Sequence, residues 1–282
     1  MADTRFGMST HLFHDQRLTR DHLAEIARQG FTAIELFATR SHFDYHDSNA
    51  IDALAGWLHE NSLELHSMHA PIFDINEQGQ RIGSLSTASG DEHRRVAAVD
   101  NTRTALQVAR RIPCRFLVVH LGVVSSEASP RENRPDAARR SLEAIVEAAS
   151  ECGVRVAVEV IPNELSESAS LVQLIENDLE GLDVGVCLDY GHAHLMGDLG
   201  DAIETLSGHL WTTHVHDNRG QRDEHLVPFA GTIDWEAAMM ETQKIGYDDV
   251  LMFEVAGSGN PSDVLGRSVK ARERLQKTLI TL

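Results

Sequence analysis

The chain has 282 residues and is 42% hydrophobic, enough for a large core. Its 43 acidic and 25 basic residues give a formal charge of −18, which opposes non-specific binding to nucleic acid, where phosphate contacts need a cationic face. Three scattered cysteines (Cys114, Cys152, Cys187) form no CxxC pair, so a reducing, cytoplasmic setting without a disulfide framework is expected. No signal-peptide pattern opens the chain and no apolar run approaches ~18 residues, so no membrane association is expected.

Phe6–Thr10 reads as a first strand. Thr19 can cap a helix to about Gln29, with Gly30 as its stop. Ala33–Phe37 (AIELF) is the second strand, Asp47 or Ser48 opens a helix to about Asn61, and Leu63–Met68 is the third strand. The polar stretch Pro71–Gly90 is too long for a plain connector. Asp91–Arg111 reads as one helix, Phe116–Val119 as the fourth strand, and Pro135–Cys152 as the next helix.

Val154–Val160 is the fifth strand and Ser168–Asn177 is helical. Val184–Leu188 is the sixth strand, followed by a helix near Asp198–Leu206, and Leu210–Val215 is the seventh. A second long loop, Asp217–Ile233, leads to Asp234, an N-cap for a helix to Ile245. Val250–Val255 is the eighth strand, and Pro261–Ile280 closes the chain as a helix with proline at its start. Eight strand-then-helix units with Val/Ile/Leu-rich strands and no linker predict an α/β fold: a single-domain (β/α)8 TIM barrel over residues 1–282. No GxGxxG or GxxxxGK[ST] motif is present, so no nucleotide cofactor is expected.

In such a barrel every strand C-terminus opens on one face, where ligands bind. The polar residues there are His69, His120, Glu159, Asp189, His192, His214, His216 and Asp217, with Asp223 and His225 in the next loop and Glu254 in strand eight. This mixture of imidazole and carboxylate suits Zn²⁺, Mn²⁺ or a similar divalent ion. A lone strand-end histidine is commonly a hydrogen-bonded structural residue. Glu159 and Glu254 differ, because each interrupts an apolar run (VAVEV, LMFEV), and a buried carboxylate needs a strong partner. Arg155 is one candidate partner; a shared divalent metal is the other, and the one expected. Asp189-x-x-His192 and Asp223-x-His225 are weak signals singly and specific together.

The stretches SMHAPIFDIN, VVHLG, VEVIPN, VCLDYGHAH, THVHDNRG, DEHLVPFAG and LMFEV resemble, in this order, the xylose isomerase-like TIM-barrel superfamily of sugar isomerases and epimerases and endonuclease IV-type phosphodiesterases. The resemblance covers essentially the whole chain. It implies a divalent metal (Zn, Mn or Mg) on Glu159, Asp189, His214 and Glu254, with Glu159 and Glu254 also moving protons. His214 rather than His216 matches the family's His-x-x-Asp pattern. His192, His69 and Arg219 are matched to substrate binding, Arg219 one residue closer to the histidine than in the epimerases. The endonuclease IV-type ligand set adds His69, His120, His192, Asp223 and His225 as further metal positions, with Glu159 bridging two ions.

Two chemistries follow. The first is metal-dependent isomerisation or epimerisation of a small sugar, sugar phosphate, polyol or keto-acid, with a glutamate taking and returning the proton beside a polarised carbonyl. The second is three-zinc phosphodiester hydrolysis, against which the acidic charge argues; arginines at 40, 81, 94, 95, 219 and 222 are the only visible material for a cationic rim. A third reading is a metal-binding barrel without turnover. A small sugar-like molecule is the expected partner, nucleic acid is not, and a homo-oligomer is expected by analogy alone. Gly257-Ser258-Gly259 is a faint phosphate-binding candidate. His194 has no role in either scheme.

Overall fold

The short apolar runs become the staves of a closed barrel in this computed structural model, which describes residues 5–76, 78–256 and 259–281. In chain order the strands are β1 (Phe6–Ser9), β2 (Ala33–Phe37), β3 (Glu64–His69), a side hairpin of β4 (Phe73–Ile75) and β5 (Arg81–Ser84), then β6 (Phe116–Val119), β7 (Arg155–Glu159), β8 (Val184–Asp189), β9 (Leu210–Val215) and β10 (Leu251–Phe253). All barrel pairings are parallel, in the order β1-β2-β3-β6-β7-β8-β9-β10 with β10 returning to β1. This is the expected (β/α)8 architecture. No described helix is long and apolar enough to cross a membrane.

The outer layer holds α1 (Arg20–Arg28), α2 (Ser48–Glu60), α3 (Glu92–Ala105), α4 (Gln107–Arg111), α5 (Pro135–Ser150), α6 (Ser168–Gln173), α7 (Tyr190–Met196), α8 (Leu199–Thr205), α9 (Trp235–Lys244) and α10 (Pro261–Thr281). Caps set several starts. Thr19 forms a reciprocal capping box with His22, and Asp47, Asp91, Asp198 and Asp234 each accept a first-turn amide. The strands' outward Val, Leu and Ile side chains pack against these helices, each fully buried one contributing about 1.5–3 kcal/mol.

Some expectations shift. The loop at 71–90 contains the antiparallel β4–β5 hairpin, whose turn is organised by the Asn76 side chain accepting from Gln78 N and Gln80 N. The helix expected over Asp91–Arg111 breaks at Leu106, where Thr102 and Thr104 turn their hydroxyls back onto carbonyls four residues earlier, a bond that bends helices. α7 was not anticipated: the Asp189 carboxylate caps it by accepting from His192 N at 2.7 Å, so a residue read only as a ligand also starts a helix. β10 stops at Phe253, which places Glu254 just beyond the strand. All three cysteines are free thiols. Of the Gly257-Ser258-Gly259 candidate, Gly257 and Ser258 lie outside the described residues.

Candidate functional site at the barrel mouth

Each inward donor comes from the C-terminal end of a different strand. His69 ends β3, His120 follows β6, Glu159 ends β7, Asp189 ends β8, His214 is the penultimate residue of β9 and Glu254 follows β10. Five of these six are buried, and His120, at the rim, is half-buried. They line or underlie a cavity of about 420 Å³. The rest of the lining mixes apolar Phe37, Ile72, Phe73, Leu85, Val123 and Val124 with polar His11, His14, Ser84, Ser126 and Glu127.

Glu159 sits between two donor groups. Its Oε2 is 3.1 Å from His69 Nε2 and 3.0 Å from His120 Nε2, and the two imidazole nitrogens are 3.2 Å apart. His69 Nδ1 donates to the Ala70 carbonyl at 2.8 Å, which makes Nε2 the nitrogen that offers a lone pair to its neighbours once the ring sheds its extra proton. Glu159 Oε1 is 3.2 Å from His214 Nδ1, which also faces Glu254 Oε2 at 3.4 Å and Asp189 Oδ2 at 3.9 Å. Ligands of one tetrahedral zinc stand about 3.3 Å apart. The donor chemistry and spacing of both groups therefore fit a divalent metal.

A third group joins His192, His216, Asp223 and His225. His192 Nε2 and His225 Nε2 lie 3.1 and 2.9 Å from Asp223 Oδ2. His225 Nδ1 donates to the Glu254 main-chain carbonyl at 2.9 Å, again turning Nε2 toward the group. His225 adopts a positive φ of 45°, a strained value for a residue with a side chain, and it is held by paired bonds between Asp217 and Leu226. Asp217 anchors that loop: its carboxylate accepts from the amides of Asn218, Phe229, Gly231 and Ile233 and from Trp235 Nε1.

Imidazoles and carboxylates offset one another's charge across these groups. Burial disfavours protonation of His69, His120, His192, His214 and His225, yet adjacent carboxylates outweigh it at all but His120. His69 is raised to about 8 by Glu159, Glu254 and Glu35, and His225 to about 9 by Asp223 and Glu254. His192 and His214 stand well above the ordinary range. Burial pushes Glu254 upward, assisted by Glu159, whereas at Glu159 the surrounding histidines overcome burial and hold it well below the usual carboxylate range. Among the described residues lining the cavity there is no lysine or arginine.

Several sequence assignments change. Arg155 is not the partner of a buried glutamate; it lies outside, with Nε 2.9 Å from Asp183 and its guanidinium over Trp211. Arg219 is half-exposed and paired with Glu224 rather than lining the cavity. Arg40, Arg81, Arg94 and Arg95 are likewise paired with Asp44, Glu127, Glu132 and Glu92, so the cationic rim is largely neutralised. His194 contacts Thr232 Oγ1 at 2.9 Å, outside the donor groups. One buried residue was missed, Glu35, and another, His216, was named at its strand end but set aside in favour of His214. Glu35, in the run AIELF, accepts from His214 Nε2, Ser9 Oγ and Ser67 Oγ at 2.9–3.0 Å. His216 joins the third group. An acid inside an apolar strand was the available signal for Glu35, the same one that marked Glu159 and Glu254.

Fold and site together define a parallel (β/α)8 barrel with histidine and carboxylate donors gathered at its C-terminal mouth. Residues 23–277 match the xylose isomerase-like TIM barrel family, and the chain belongs to it. It is 28% identical over 287 residues to the uncharacterized protein MJ1311 of Methanocaldococcus jannaschii, covering 99% of this chain and 90% of that one. It is 21% identical over 227 residues to an inosose isomerase of Bacillus licheniformis, covering 76% of this chain and 79% of that one. Among solved structures it is similar to a D-tagatose 3-epimerase-like protein, with a TM-score of 0.80, 26% identity, and coverage of 98% and 97% of the two chains.

Proposed function

We propose that this chain is a divalent-metal-dependent isomerase or epimerase of a small, uncharged sugar or polyol. One observation carries the reading. Of the four donors Glu159, Asp189, His214 and Glu254, only the two glutamates border the cavity; Asp189 and His214 stand behind them. Asp189 and His214 then serve as pure ligands, and Glu159 and Glu254 can both hold a metal and reach a substrate carbon. The similarity to an inosose isomerase and to a D-tagatose 3-epimerase-like protein supports the reaction class.

A bound Zn²⁺, Mn²⁺ or Mg²⁺ would polarise a carbonyl or hydroxyl oxygen as a Lewis acid. The residues do the rest. One glutamate takes the proton from the carbon beside the carbonyl, and the same or the opposite glutamate returns it. His69 and His192 line the cavity and would hold substrate oxygens when not engaged by metal. Phe73 of the hairpin and Val123–Val124 add apolar lining that would limit water, beside the polar Ser84, Ser126 and Glu127. A cavity of about 420 Å³ suits a monosaccharide, and its lack of lysine or arginine among the described lining residues favours an uncharged sugar over a sugar phosphate.

The test is a panel of ketoses, aldoses and inososes incubated with metal-loaded protein. Conversion is expected with at least one, abolished by chelation and by Glu159→Gln. A second reading, three-zinc phosphodiester hydrolysis, is favoured by the two donor groups beyond Glu159–Asp189–His214–Glu254, one at His69, His120 and Glu159 and one at His192, His216, Asp223 and His225. Cleavage of abasic DNA, abolished by Glu159→Gln, with no sugar converted, would replace the first reading by this one.

A further inference from the structure

The loop over residues 217–233 folds back on the barrel through His192 on α7, His216 just past β9, and its own Asp223 and His225. His216 is fully buried. Its Nε2 lies 2.9 Å from the Asp189 carboxylate, so Nε2 carries the hydrogen and donates it. In the neutral ring, the form that binds a metal, Nδ1 then presents a lone pair. That atom is buried, has no hydrogen-bond partner, and faces Asp223 Oδ1 at 3.8 Å. Buried acceptors are rarely left unpaired, and one aimed into a cluster of metal-type donors calls for an explanation. The ring occupies this place only because residue 191 is glycine: a Cβ there would stand 2.0 Å from His216 Cε1. His216 and His225 stack at 4.2 Å between ring centroids, entering the group side by side, and the donor atoms of the four residues all lie within 4.8 Å of one another.

We propose that His216 is the fourth protein ligand of a closed metal position formed with His192, Asp223 and His225, and that the ion held there staples the loop to the barrel. Three imidazoles and one carboxylate suit zinc. Four protein donors complete a tetrahedron, as structural sites do, whereas catalytic sites keep an open position. The resemblance to endonuclease IV-type enzymes puts only His192, Asp223 and His225 here; His216 joins them on the geometry of this chain. The inference does not rest on the isomerase reading. It confines exchangeable ligands to the Glu159 and Glu254 side of the mouth.

The test counts metal per chain after dialysis in the wild type, Asp223→Ala and His216→Ala, and follows cobalt(II)-loaded protein by visible absorption. Asp223→Ala and His216→Ala should lose the same single equivalent, with affinity for that ion reduced at least about tenfold. The wild-type minus Asp223→Ala cobalt spectrum should be tetrahedral in type and unchanged by azide, a measurement that needs no folded His216 variant. Retention of that equivalent in His216→Ala would overturn the proposal. So would loss of the Glu159–Asp189–His214–Glu254 ion instead, an azide-sensitive difference spectrum, or a wild type with no ion that Asp223→Ala removes.

Discussion

Glu35 and His214 meet inside the barrel, both fully buried, with His214 Nε2 donating to Glu35 Oε2 at 2.9 Å. The bond fixes the histidine tautomer and turns Nδ1 toward Glu159, Asp189 and Glu254. A carboxylate behind a ligating imidazole orients it and raises its basicity. Ser9 and Ser67 hold the carboxylate in turn.

Loss of that support should weaken the metal without removing any ligand. Glu35→Gln is expected to lower affinity at the Glu159–Asp189–His214–Glu254 group by about 10–100-fold, read by competition with a chelator. Unchanged affinity would mean that His214 needs no such partner.

Metal uptake should expel protons. His69 is raised to about 8 and His225 to about 9, and His192 and His214 stand well above the ordinary range, so the metal-free protein holds protons on these imidazoles at neutral pH. A ligand must shed its proton to bind, so affinity should rise with pH from 6 to 8. Titration calorimetry in buffers of different ionisation enthalpy should give an observed heat that depends on the buffer. A buffer-independent heat would contradict the assigned ligands.

His42 supplies a pH dependence away from the mouth. Its ring is buried, donates from Nδ1 to the Gln16 carbonyl at 2.6 Å, and is lowered by burial to about 4. The unfolded chain therefore binds the extra proton between about 4 and 6.5, and stability rises with pH across that window. The contribution is fully present above pH ~6.5 and is lost as pH falls toward 4, amounting to about 3 kcal/mol. His42→Gln should flatten the pH dependence of denaturant unfolding there by that amount, compared with wild type under the same metal-free conditions. Parallel curves for the two proteins would exclude this role.

Asp217 should be a stability residue rather than a catalytic one. Its carboxylate satisfies four backbone amides and the Trp235 indole, all in one loop and the helix start that follows. Asp217→Ala strands several buried donors and should cost at least about 3 kcal/mol by denaturant unfolding. Asp217→Asn keeps one acceptor oxygen and should cost less. Equal, small losses for both would show that water replaces the carboxylate.

The barrel was legible because a parallel strand buried on both faces writes itself as an apolar run, and a polar residue at its end is conspicuous. Glu159, Asp189, His214 and Glu254 were found that way, and they converge. Local competition explains the misses. Asp189 reads as a strand-end acid, yet its capping bond to His192 N starts α7. Thr102 and Thr104 sit inside an otherwise helical pattern, and only their back-bonding breaks it. Glu35 was passed over because its strand ends in other residues at the mouth and its partner, His214, is 179 positions away. His216 depends on a notch at Gly191, a steric fact no spacing reports.

The most direct measurement follows solvent deuterium into a converted sugar. Metal-loaded protein in D₂O should place deuterium on the carbon next to the carbonyl, and Glu254→Gln, still metal-bound by direct analysis, should lose the incorporation. Conversion without incorporation, or undiminished incorporation in Glu254→Gln, would contradict proton transfer by this glutamate pair.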